Sequence, residues 1–106
     1  MDTNMKKIIA ERELLYSLKG SSARERLVVR ISAPYLVDEN TVNFKFDPGT
    51  AGCRIEFDNL PESDIEVHGV DTVQALHFAS DLEPYLKGLE KKYDIYWSSG
   101  EPYFDE

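Results

Sequence analysis

Cysteine occurs once in this chain, at Cys53, so no internal disulfide can form and no cysteine cluster can hold zinc. A reducing compartment fits that usage. Long apolar runs are also missing, and nothing approaches the roughly twenty consecutive apolar residues needed to span a bilayer. Residues 1–7 are polar, and the apolar run from Ile8 ends at Glu11, which is too short for a signal-peptide core. The expectation is a cytoplasmic protein with no membrane partner.

Positive charge is scarce. Twelve Lys/Arg face twenty Asp/Glu, for a formal charge of −8. The deficit lies in the second half: residues 54–106 hold only Arg54, Lys87, Lys91 and Lys92 against thirteen acids. A field of that sign repels phosphate backbones, which argues against nucleic-acid binding, and attracts a basic protein partner. It also serves simply to keep a small protein soluble.

At 106 residues the chain reads as one domain over 1–106, with 1–5 and 105–106 as mobile ends. Hydrophobic residues make up 42% of it, enough to outweigh chain entropy. A chain this short still buries a modest fraction of its surface, so oligomerisation would add stability.

Residues 6–18 fit two periods. Ile8, Ala10, Leu14, Tyr16 and Leu18 alternate as in a strand, while Ile8, Arg12 and Leu15 keep helical spacing; we read a strand. After the turn at Lys19-Gly20-Ser21-Ser22, Leu27, Val29, Ile31 and Ala33 share one face of a second strand. Pro34 and the polar Asp38-Glu39-Asn40 close it. Val42, Phe44 and Phe46 predict a third strand, joined through Asp47-Pro48-Gly49-Thr50 to a fourth carrying Ala51, Cys53, Ile55 and Phe57. Ile65 and Val67 predict a short fifth.

Asp71 with Gln74 three residues later is a capping-box pattern. The helix it starts shows Ala75, Ala79, Leu82, Leu86 and Leu89 at gaps of three and four, widened by Leu76 and Phe78. Pro84 cannot donate to Ser80, so the helix should kink or restart near Asp81. Tyr93, Ile95 and Trp97 form a last strand, and Tyr103 and Phe104 suggest that part of the tail packs. The expected fold is α+β: an antiparallel meander of about five strands, one kinked helix on one face, and a final strand.

Ile9-Ala10-Glu11-Arg12-Glu13-Leu14 and Gly69-Val70-Asp71-Thr72-Val73-Gln74-Ala75-Leu76-His77-Phe78-Ala79 resemble a family of small uncharacterised bacterial domains with a G-V-D-x-x-Q-A-L-x-x-A segment. The likeness covers most of the chain and includes the later strand ending in Trp97. It implies a shared fold and no catalytic residue. The segment has structural work enough: Gly69 turns the chain, Asp71 and Gln74 cap the helix, and Ala75, Leu76 and Ala79 pack on the sheet.

The nearest thing to a chemical site is Asp64, Glu66 and His68, which alternation places on one face of the fifth strand. They could hold a divalent metal, or Glu66 could orient His68 as a base. An acidic edge strand has a plainer use, since solvated charge discourages edge pairing. His77 has no ligand partner at helical spacing, and Cys53 lies on the core face, where thiols are inert. Arg12 interrupts an apolar face and needs a carboxylate, with Asp71 or Glu11 as the candidates. No Gly-rich phosphate loop, nucleophile elbow or H-E-x-x-H pattern is present, and no cofactor is called for.

Two functions compete. One is a non-catalytic module that binds a protein partner, basic in character, or assembles with itself; small acidic bacterial domains of this build include immunity proteins that block basic nuclease toxins. The other is an enzyme acting on a small molecule or using a metal through Asp64, Glu66 and His68. Self-association draws on Val28, Tyr96, Tyr103 and Phe104, which one helix cannot all cover.

Overall fold

The computed structural model describes residues 7–37 and 49–104. The third strand expected over 41–46, the Asp47-Pro48 half of its turn, and the mobile ends expected at 1–5 and 105–106 lie outside the described residues. Gly49, inside them, has φ 91°, the left-handed value that glycine takes without steric cost.

The described residues form an antiparallel sheet and two helices. The strands are β1 (Ile8–Leu18), β2 (Glu25–Ser32), β3 (Tyr35–Leu36), β4 (Ala51–Asp58), β5 (Ile65–Gly69) and β6 (Tyr93–Trp97). Helix α1 (Thr72–Ser80) and helix α2 (Glu83–Leu89) lie between β5 and β6. Sheet order is β3-β4-β2-β1-β6, with β5 also on β4. The meander therefore holds through β1, β2, β4 and β5, and β6 returns to pair with β1 at the far side.

Residues 8–18 form a strand because pairing settles the ambiguous period: Leu14 lies opposite Leu27 on one side and Trp97 on the other. Pro34 does not end the second strand's line as expected. After it β3 takes up pairing with Gly52 and Ala51, while β2 pairs with β4 from Ile55 to Asp58. The register slips by one residue across Ala33-Pro34, as at a bulge, which lets the line pass a residue with no N–H.

The single kinked helix is corrected to two. Helix α1 stops at Ser80 and α2 restarts at Glu83, with Pro84 in its first turn. A proline interior to one long helix would lose a hydrogen bond and clash with the preceding turn, whereas its fixed φ suits a helix start.

The expected N-cap is present: Asp71 accepts from the Gln74 N–H at 2.8 Å, and Gln74 Oε1 accepts from the Val70 N–H at 2.8 Å. The glutamine thus reaches one residue further back than a capping box requires. Gly69 serves close approach as well as a turn, because a Cβ there would lie 2.6 Å from the Ala75 nitrogen.

Ala75, Ala79, Leu82 and Leu86 press on the face formed by Leu14, Leu27, Val29, Ile31, Cys53, Ile55, Tyr93 and Ile95, all buried. Burying a residue such as Leu86 contributes about 1.5–3 kcal/mol. Phe78 points away and is exposed.

The opposite face carries ion pairs: Arg26 with Glu13, Arg30 with Glu11 and Asp58, and Arg54 with Asp64. Between Arg26 and Arg30, Val28 is only 4% exposed. Beyond β6 the tail folds back. Trp97 N–H donates to the Glu101 carbonyl at 2.8 Å, Tyr103 N–H donates to Ile95 at 2.9 Å, and Pro102 bridges Tyr96. No helix among the described residues is long and apolar enough to cross a membrane.

Candidate functional site

Asp64, Glu66 and His68 do not come together as one ligand set. Asp64 precedes β5 instead of lying on it, and its carboxylate sits 3.7 Å from the Arg54 guanidinium. Glu66 is opposite Arg54, and His68 is opposite Gly52, so these two share the outer face along β5. Among the described residues, no three His, Cys, Asp or Glu side chains are grouped to hold a metal ion.

Cys53 is fully buried and donates its S–H to the Ser32 carbonyl at 3.0 Å. Burial is the main cause raising its pKa, which keeps the thiol protonated and a poor nucleophile. His77 is exposed on α1, its ring 6.0 Å from that of Phe78.

Arg12 is paired, but not as expected. Glu11, the neighbouring residue, points to the opposite sheet face and bonds Arg30, while Asp71 is occupied in capping α1. The partner is Glu83, at 3.7 Å, brought in by the first turn of α2. Sequence reasoning identified the need and missed the partner, because the pair spans most of the chain.

Arg12 also belongs to an aromatic cluster at this end of the sheet. Its guanidinium lies 5.6 Å from the Trp97 ring centre and 5.9 Å from that of Tyr103, within cation–π range. It donates to the Tyr103 oxygen, and the Tyr103 hydroxyl donates to Glu83. The Tyr103 ring lies 4.5 Å from Trp97 at a tilt of 37° and meets Phe104 edge-on at 5.0 Å. Lys87 on α2 caps the far end, its ammonium 4.8 Å from the Phe104 ring centre.

Four parts of the chain position the cluster. Arg12 comes from β1, Trp97 from β6, Glu83 and Lys87 from α2, and the other two rings from the folded-back tail. Tyr103 is nearly buried at 7% exposure, whereas Trp97 remains 41% exposed and Phe104 partly so. Burial, then the bond to Glu83, push the Tyr103 pKa up to about 12, so the phenol stays protonated and can go on donating.

Beside Phe104 an open groove of about 310 Å³ is lined by Asp81, Glu83, Pro84, Lys87 and Phe104. Asp81 carries no ion pair among the described residues, whereas Lys87 is bonded to Glu90 at 2.8 Å. The paired aromatics at 103 and 104 were the sequence signal for this region, and Lys87 gave none.

No protein-family model, no curated protein and no solved structure matches the chain.

Proposed function

We propose that this chain is a non-catalytic, cytoplasmic protein-binding module that shares its architecture with the domains its 69–79 segment resembles. The observation that carries the reading is the half-open ladder of Trp97, Tyr103 and Phe104 held by Arg12. Trp, Tyr and Arg dominate the energetics of protein interfaces, because they bury large areas at small entropic cost and keep a polar handle. A buried middle ring, an exposed Trp97 and a partly exposed Phe104 make the ladder a preformed platform, which reduces the ordering cost of binding.

The enzyme reading through Asp64, Glu66 and His68 gains no support from the geometry, since Asp64 is turned to Arg54. The lone thiol, buried and protonated, suits a reducing compartment.

The test is isolation of the tagged protein from its own cells beside a Trp97→Ala/Phe104→Ala variant. A stoichiometric protein partner held by the wild type and lost by the variant is expected. Recovery of only an untagged copy of the chain assigns the platform to self-assembly. Recovery of no partner overturns the reading.

A further inference from the structure

The geometry points to the groove between α2 and the tail as the docking site for a basic protein segment, one that seats an apolar side chain against Pro84 and Phe104 and sets a neighbouring lysine or arginine against Asp81. This inference rests on the protein-binding reading and names the chemistry of the partner.

Three observations converge on it. The floor of the groove is apolar, formed by Pro84 and the partly exposed Phe104 ring. That ring continues through Tyr103 to the exposed Trp97, a second apolar anchor beyond the Arg12–Glu83 pair.

The charges at the rim are unequally engaged. Lys87 is bonded to Glu90, and Arg12 is bonded to Glu83 and Tyr103. Asp81 carries no ion pair among the described residues. Glu83 uses Oε1 for both of its contacts, which leaves its other oxygen as an acceptor. The unspent rim charge is therefore negative.

The cluster also supplies its own precedent for the chemistry. Its aromatic faces already take cations, Lys87 on Phe104 and Arg12 on Trp97 and Tyr103. An incoming guanidinium or ammonium meets the same quadrupole.

Asp81 offers a clean handle. It is exposed and sits at the C-terminal end of α1, where a positive side chain suits the helix dipole, so reversing its charge should leave the fold intact.

The experiment is an amide and indole NMR titration of the full chain in 0.15 M salt. The probes are acetyl-Lys-Leu-Arg-Leu-Lys-amide and its counterpart with glutamate at the three charged positions. The basic probe should give saturable shifts at the Trp97 indole, Lys87 and Phe104, and the acidic probe none. Asp81→Asn should weaken binding by about fivefold, the upper range for one exposed ion pair, and Asp81→Lys by about twenty-five-fold.

Equal binding of both probes, no saturable shift, or shifts spread over the acidic surface and unchanged in Asp81→Lys would overturn the assignment. The partner isolation separates the two readings. A partner retained by Asp81→Lys and lost by Trp97→Ala/Phe104→Ala keeps the module and removes this groove.

Discussion

At the scale of single residues, most side chains do what their neighbours in sequence dictate, and the exceptions are set by distant chain. Asp71 is of the first kind: its cap depends only on Gln74, three residues on. Asp71→Ala should cost about 1 kcal/mol, read as a lower denaturation midpoint with an unchanged slope. Arg12 is of the second kind, because its partner Glu83 arrives only when α2 has packed. Tyr103 and Tyr93 show the energetic side of such contacts. Each is buried and hydrogen-bonded to a carboxylate, Glu83 and Glu62 respectively, and each pKa is raised from 10.0 to about 12. The folded state therefore holds these protons more tightly than the unfolded chain. Their contribution to stability is complete below pH 10 and is lost as pH rises toward 12. Burial also raises the pKa of Tyr16 and of Tyr85. Ultraviolet titration should therefore show four of the six tyrosines ionising later than a free tyrosine, Tyr93 and Tyr103 together with unfolding, and Tyr103→Phe should remove one of that pair.

At the scale of elements, local signals sufficed wherever a segment's own pattern was decisive. Strand β4 alternated cleanly, Pro84 marked the helix break, and the Tyr93-to-Trp97 alternation marked β6. Strand β3 was not legible, since two residues after Pro34 carry no periodicity; only the partner strand makes them a strand. The tail was half legible. Two aromatics signalled packing, but the backbone bonds to β6 depend on the Ser98-Ser99-Gly100 turn, where Gly100 has φ 98°. Those bonds cover part of the outer edge of β6 and seat Tyr103 in the core. Deleting 101–106 removes both, so it should destabilise the domain by about 3–5 kcal/mol, the usual cost of truncating a buried aromatic. It should also expose an edge that pairs with other chains. Chemical denaturation measures the first effect, and light scattering against concentration measures the second. Unchanged values for both would show that the tail merely rests on the strand.

At the scale of the whole molecule, the question is whether the folded chain still needs a second copy. The case for self-association rested on Val28, Tyr96, Tyr103 and Phe104 lacking cover. The structure covers two of them within the chain: Val28 is 4% exposed between two ion-paired arginines, and Tyr103 is 7% exposed. Arg24 lies over the Tyr96 ring at 3.8 Å, and Phe104 is partly covered by Tyr103 and Lys87. Paired charges dominate the face opposite the helices, and burying them against an identical surface would cost desolvation without adding a new complement. The acid excess opposes association weakly, because salt at 0.15 M screens charges beyond about 8 Å. Other exposed apolar side chains, such as Val70 and Val73, are scattered over the surface, whereas Trp97 and the partly exposed Phe104 belong to one cluster, and a two-fold related copy docking there would set its acidic rim against the same acidic rim. A hetero-partner avoids that repulsion. Sedimentation in 0.15 M salt should therefore give 12.1 kDa at micromolar concentration and again tenfold higher. A concentration-dependent rise toward twice that mass, abolished by Trp97→Ala, would instead make the platform a homodimer interface.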